Sequence, residues 1–255
     1  MMIAQPLAGA RIAVTRASHQ APPLADLIRE FGAAPILYPC IAITSPDDLR
    51  PLDDCLRRVR HFDWLLVTSG NAVRAVAERL SALELSLTGA SIRVAAAGPA
   101  TADELQRRLD LEARFLPTDY GAEELARSLP ISQPCRVLMP QSNLADESTA
   151  QILRARGADL RTVVAYRTVI GEGGADLRAL IGRAEIDALT FTSPSAVSFF
   201  CRRCPVCAAR QLPAACIGPA TAARAATHGF QRLVTPKRAS LRAMISALAA
   251  HFESA

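Results

Sequence analysis

The chain has 255 residues, half of them apolar, and carries a net charge of +5 at neutral pH. That length and balance suit one large or two mid-sized globular domains. Disordered, collagen-like and low-complexity chains are excluded, because the 13 glycines and 17 prolines are scattered without a period.

The positive excess is almost wholly arginine, since Lys237 is the only lysine. Guanidinium forks bind carboxylate and phosphate in bidentate fashion, so an anionic partner is expected. Nucleic acid is not: the arginines come in dispersed pairs, and aromatic residues for base stacking are 5% of the chain. No apolar run reaches the roughly 18–20 residues of a membrane span. The opening stretch MMIAQPLAGARIAVTR has no basic segment ahead of its apolar residues. The expectation is no secretory signal, no membrane contact and a cytoplasmic location.

In chain order, residues 11–15 read as an apolar strand, followed by a polar turn and a helix from about 22 to 31 that ends at Gly32. A second strand is expected at 34–38. A third, at 63–67, leads through the turn 69–71 into a helix over 72–80. A fourth, at 92–97, leads through Gly98-Pro99 into a helix over 101–109. Further strands are expected at 113–116, 135–139, 160–165, 187–191, 214–217 and 231–235. Their apolar runs are continuous rather than alternating, which marks strands buried on both faces of a parallel sheet between helix layers.

The chain repeats itself. FDWLLVTSGNAV (62–73) matches IDALTFTSPSAV (186–197), and RVAAAGPATADEL (93–105) matches PAACIGPATAARA (213–225). A weaker pair sets RIAVTRAS with LIREFGAAPI (11–18, 27–36) against RVLMPQSN with ILRARGADLR (136–143, 152–161). All three share an offset of roughly 120–125 residues, so two similar folded units follow. Ten strands alternating with helices make two five-stranded doubly wound domains. They could divide in tandem near residue 130. They could also interleave, the first two strands joining the last three around an inserted middle five. In that case 38–46 and 163–171 cross between domains, extended and apolar, and could pair as a ribbon. The repeat alone does not choose.

Without a secretory signal, the seven cysteines read as reduced thiols. Cys201, Cys204 and Cys207 run C-x2-C-x2-C, and a helix would set them on roughly one face, a spacing that a metal or iron–sulfur site can use. No fourth ligand stands at matching spacing, so half-buried packing at a helix end is expected and no metal. The four histidines show no metal spacing; His228, before Gly229, fits a helix-end cap. Phosphate-loop, dinucleotide and nucleophile-elbow motifs are absent, and no carboxylate pair stands out.

In doubly wound sheets, ligands sit beyond the carboxyl ends of the strands, where helices begin. The turns expected there are rich in hydroxyls and glycine: Thr15-Arg16-Ala17-Ser18, Thr68-Ser69-Gly70-Asn71, Gly98-Pro99-Ala100-Thr101, Gln141-Ser142-Asn143, Thr192-Ser193-Pro194-Ser195 and Gly218-Pro219-Ala220-Thr221. Taken singly, each reads first as an ordinary helix cap. Together, helix N-terminal amides and hydroxyls suit a large, multiply anionic molecule.

The segments VTRA, TSGNAV, AAGPATA, VVAYRTV, TFTSPSAV and IGPATA, in this order over nearly the whole chain, resemble the uroporphyrinogen-III synthase family. The resemblance implies the interleaved arrangement. Residues 1–38 with 170–255 form one flavodoxin-like domain, and 46–162 form a second, inserted one. Residues 39–45 and 163–169 then cross as a two-stranded antiparallel connection, with the active cleft between the domains. It further implies a hydro-lyase of tetrapyrrole and haem biosynthesis that closes hydroxymethylbilane to uroporphyrinogen III, inverting the last pyrrole ring, without cofactor or metal. The substrate is then a linear tetrapyrrole polycarboxylate bearing an acetate and a propionate on each ring.

By the same resemblance, Tyr166 assists loss of the substrate hydroxyl, and Thr101, Ser195 and Thr221 match hydroxyl positions the family uses. Arg16, Ser69, Asn71 and Ser193 are further expected binders. Gln141 departs from the pattern: it lies in the binding loop where the family often has arginine, so a charged contact is lost. That departure favours a second reading, a tetrapyrrole- or anion-sensing regulatory protein that keeps the fold without turnover. A third, an enzyme acting on sugar phosphates, has the missing phosphate loops against it. A monomer in transient contact with adjacent pathway enzymes is expected.

Overall fold

A computed structural model describes residues 5–254. The first four residues, part of the stretch read as lacking a signal, and residue 255 lie outside them. The chain divides into two compact units, one running up to Ala42 and resuming at Val169, the other Ile43–Thr168.

In the first unit, five strands lie in the order β10-β9-β8-β1-β2. They are β1 (Arg11–Val14), β2 (Ala34–Leu37), β8 (Ala188–Phe191), β9 (Ala214–Cys216) and β10 (Leu233–Val234). Every neighbouring pair is parallel. The helices are α1 (Pro22–Glu30), α7 (Leu177–Gly182), α8 (Pro194–Arg203), α9 (Pro219–Thr227) and α10 (Leu241–Glu253). Ile12 and Val14 of β1 join Leu24 and Ile28 of α1 and Met244, Ile245 and Leu248 of α10 in one apolar layer. An aromatic group fills the other side: Phe191 packs edge-on against Phe200 of α8 at 5.3 Å and against Phe230 at 5.4 Å. Burial on both faces is why these strands read as continuous apolar runs.

The second unit holds a sheet of order β3-β7-β6-β4-β5, comprising β3 (Ile41–Thr44), β4 (Trp64–Val67), β5 (Arg93–Ala96), β6 (Cys135–Ser142) and β7 (Ala158–Ile170). The boundary between the units falls inside β3 and β7. On one face, α2 (Arg50–Arg57), α3 (Gly70–Ala82) and α4 (Pro99–Leu109) bury Leu52, Val73, Val76 and Leu105 against Leu65 and Val67. On the other, α5 (Ala122–Ser128) and α6 (Ser148–Ala155) pack Leu125 and Leu153 against Trp64 and Leu66.

Between α2 and α3, Arg79 donates two hydrogen bonds of 2.8 Å each to Asp53, which is 8% exposed. Removing one member of such a pair strands the other in a low-dielectric site. Asp53→Ala is therefore expected to lower the stability of this unit by about 2 kcal/mol, read as a lower urea midpoint at unchanged slope. A loss below about 0.5 kcal/mol would show the pair to be no more than a surface bridge.

Several sequence expectations change. The strand at 113–116 reduces to a single bridge, Ala95 to Phe115, because Pro117 stops the chain from following β5 further. Residues 41–44, read only as part of an extended crossing, form β3. The helix expected to present Cys201, Cys204 and Cys207 on one face ends at Arg203, since Pro205 disfavours helix at Cys204. Cys204 is buried and Cys207 is exposed on a separate turn.

β6 runs past Pro140 to Ser142, longer than the expected 135–139. Its register with β4 stops at Leu65↔Leu138. Beyond that point β6 has one paired neighbour, and the amide hydrogen that proline lacks is not needed.

Candidate active site

The duplicated motifs build the same local geometry twice. Ser69 caps α3 by accepting the Ala72 amide at 3.2 Å, and Ser193 caps α8 by accepting the Ala196 amide at 3.1 Å. Gly98 and Gly218 play the matching part for α4 and α9. Each carbonyl accepts two amides at 3.1 Å, those of Thr101 and Ala102 in one case and of Thr221 and Ala222 in the other. The strands beneath are parallel neighbours, β4 with β5 and β8 with β9, so paired helix N-termini open at one edge of each sheet.

In the second unit, that edge brings Ser69 to Tyr166. The Ser69 hydroxyl lies 3.1 Å from the phenol oxygen. Tyr166 stands on β7 and packs its ring against the apolar layer under α3 and α4. Burial pushes its pKa above the ordinary phenol value, opposed in part by the neighbouring hydroxyls of Ser69 and Ser142. The phenol is thus protonated at neutral pH and held among hydroxyls. Asn71, in the first turn of α3, accepts from Arg74 at 3.3 Å. Thr101, in the first turn of α4, is 8% exposed.

Gln141 is placed elsewhere. It lines a groove of about 480 Å³ with Thr68, Met139, Tyr120 and the starts of α5 and α6, and Tyr166 does not line it. Glu123, Glu124 and Asp146 also border that groove, with Arg127 the basic side chain facing them. Arg127 pairs with Glu123 at 2.6 Å. Such a groove does not favour a carboxylate.

In the first unit, Arg16 follows β1, Ser193 and Ser195 follow β8, and Thr221 follows β9, all at the carboxyl edge of adjacent parallel strands. The Ser193 and Ser195 hydroxyls are 3.0 Å apart. Thr221 is 2% exposed. The Nε of Arg16 is buried without a hydrogen-bond partner, and burial lowers the pKa of that guanidinium. A buried donor of this kind calls for an acceptor. Among the described residues no cluster of three or more His, Cys, Asp or Glu side chains fits a metal ion, and no helix is long and apolar enough to cross a membrane.

Two residues beside Tyr166 were not singled out from the sequence, Ser142 appearing only within the turn 141–143 and Thr168 not at all. Ser142 stands opposite it in the β6–β7 register, and the hydroxyl of Thr168 lies 3.2 Å from that of Ser142. The available signal was the hydroxyl alternation Tyr166-x-Thr168, which puts both side chains on one face of a strand.

A sequence model described as "Uroporphyrinogen-III synthase HemD" matches residues 22–246. The chain is 34% identical over 206 residues to the uroporphyrinogen-III synthase of Synechococcus elongatus, covering 79% of this chain and 77% of that one. Its fold is similar to the crystal structure of a mutant uroporphyrinogen III synthase from Thermus thermophilus, with a TM-score of 0.70 at 22% identity over 97% of this chain and 100% of that one. It is also similar to the uroporphyrinogen-III synthetase structure from Helicobacter pylori, with a TM-score of 0.61 at 18% identity over 95% and 99%.

Proposed function

The chain belongs to the uroporphyrinogen-III synthase family, and we propose that Tyr166 is the proton donor of its reaction. That reaction closes hydroxymethylbilane to uroporphyrinogen III, with inversion of the terminal pyrrole ring and loss of water, in haem biosynthesis. The observation that carries the assignment is the half-buried phenol, protonated at neutral pH and 3.1 Å from the hydroxyl that caps α3.

The phenol proton passes to the hydroxymethyl oxygen, the C–O pair leaves with water, and an azafulvenium cation remains. The substituted carbon of the terminal ring attacks that cation. The spiro intermediate then fragments and recloses inverted. The substrate closes unaided to the uninverted isomer, so the protein's main contribution is to hold one conformer. Arg16, Ser193, Ser195 and Thr221 on the first unit, and Asn71 and Thr101 on the second, are the donors assigned to its carboxylates. Contacts so numerous weaken one at a time, and each single loss is gradual. No step is assigned to a cofactor or metal.

The regulatory reading is not favoured. Its support was Gln141 alone, whereas the matching family model and the relative at 34% identity are both uroporphyrinogen-III synthases. We assign the chain to two flavodoxin-like domains, 1–38 with 170–255 and 46–162, joined by antiparallel crossings at 39–45 and 163–169. Supporting this are the all-parallel order 2-1-8-9-10 in the first unit and the division of the chain at 42/43 and 168/169. A cytoplasmic monomer in transient contact with adjacent pathway enzymes completes the proposal.

The test is to give freshly made hydroxymethylbilane to the purified protein and to resolve the isomers after oxidation. Isomer III is expected in excess. Isomer I alone, at the uncatalysed rate, would overturn the reading.

A further inference from the structure

We infer that Ser69 and Ser142 are positioning residues that turn the Tyr166 proton outward, toward substrate, and not substrate contacts themselves. The inference rests on the acid role given to Tyr166 above.

A hydroxyl has one hydrogen to give and two lone pairs to receive. The Ser69 oxygen already receives the Ala72 amide at 3.2 Å, which fixes its orientation at the start of the 13-residue α3. Its hydrogen is then free to point at the Tyr166 oxygen, 3.1 Å away. With Ser69 donating, the phenol cannot also donate to Ser69, and its own hydrogen is left for an outside acceptor. When that hydrogen leaves, the phenolate keeps a donor already in place. The α3 N-terminus stands behind that donor and favours the developing negative charge.

Ser142 repeats the arrangement from the other strand. Its oxygen receives the Leu144 amide at 3.2 Å, so its hydrogen too is left to give. In the resting protein that hydrogen has two acceptors at 3.2 Å, Asn143 Oδ1 and Thr168 Oγ1. Turning it to Tyr166 requires rotation about one bond.

A backbone irregularity puts Ser142 there. The register runs Gln141↔Val164 and then jumps to Ser142↔Tyr166, with a bulge between Gln141 and Ser142. An unbroken register would set Ser142 opposite Ala165, on the other face of the sheet. Bulges re-aim side chains in this way beside active sites.

The step balances. The Tyr166 O–H bond breaks as the substrate's hydroxymethyl oxygen takes the proton and departs as water, leaving phenolate and cation. The proton lost from the terminal ring's unsubstituted carbon at reclosure restores the phenol.

The experiment uses Ser69→Gly, because glycine caps a helix nearly as well as serine, together with Ser142→Ala and the conservative Ser69→Thr. Two quantities are read: the titration of Tyr166 by NMR of ring-labelled tyrosine, assigned with Tyr166→Phe, and kcat and KM for isomer III. The phenol pKa is expected to rise in Ser69→Gly and in Ser142→Ala. kcat should fall about tenfold in Ser69→Gly, with KM within about twofold, and Ser69→Thr should recover both. An unmoved phenol titration, or a KM rise at unchanged kcat, would overturn the inference and make the serines substrate ligands. A shifted phenol at unchanged kcat would instead overturn the acid role of Tyr166 and leave the coupling standing.

Discussion

Tyr166→Phe is expected to slow isomer III formation by more than about tenfold while the protein stays folded. The change removes one oxygen and leaves the ring in the apolar layer under α3 and α4, so packing is nearly conserved. What disappears is the proton for the departing hydroxyl. A loss of this size agrees with general-acid catalysis and is far below the effect of removing a covalent nucleophile.

The pH dependence follows from the direction of the shift. An acid must hold its proton, and burial pushes this phenol above its ordinary value near 10. Activity attributable to Tyr166 is therefore fully present at neutral pH and is lost only as the pH rises past that of an ordinary phenol. In Tyr166→Phe that alkaline limb should vanish from the kcat profile, and the residual rate should be flat there. A limb that persists unchanged, or an unchanged rate at neutral pH, would take the acid role away from Tyr166.

Much of this site was legible because it uses local rules twice. Ser69 and Ser193 sit between a buried strand and a helix, where a hydroxyl is the natural cap, and Gly98 and Gly218 precede Pro-Ala-Thr at two further helix starts. Duplication made each of these turns visible in the other. The Tyr166 surroundings were legible only in part. Tyr166 itself lies in a segment matching a family pattern, whereas Ser142 meets it through a one-residue register jump. Nothing in the order of residues near Pro140 marks that jump. β3 escaped for a related reason: four residues after Pro39 and Cys40 become a strand only because β7 lies beside them. The Gln141 loop shows the opposite limit. Its residue was read against a family habit, and its acidic surroundings join Glu123 and Glu124 of α5 to Asp146 just beyond the loop.

The second large effect is on stability. Gly174→Ala is expected to destabilise the first unit by about 3 kcal/mol, a loss in Tm of roughly 10 °C. Two separate terms contribute. Gly174 has φ +86°, where an L side chain is strained. A Cβ there would also stand 2.5 Å from the Leu37 carbonyl oxygen, 2.9 Å from Pro39 Cδ and 3.0 Å from the Tyr38 Cα. These are mostly backbone atoms, and they cannot step aside because their segment is pinned. The Ala175 amide donates to Leu37 and the Gly171 amide to Cys40, each at 2.9 Å. Arg203 donates to the carbonyls of Pro39 and Gly173 and lays its guanidinium 4.2 Å from the Tyr38 ring centre.

Gly173 separates the two terms. It has φ +73° but nothing within 4 Å of a built Cβ, so Gly173→Ala carries the conformational cost alone, about 1 kcal/mol. The difference between the two variants is the steric cost of bringing two backbones this close. Equal Tm losses would show that the pinned segment yields, and the account of a rigid strap just beyond the β7 end would fail. Unequal losses would mean that the strand carrying Tyr166 is anchored just beyond its end at Ile170, by packing at Gly174 that admits no side chain.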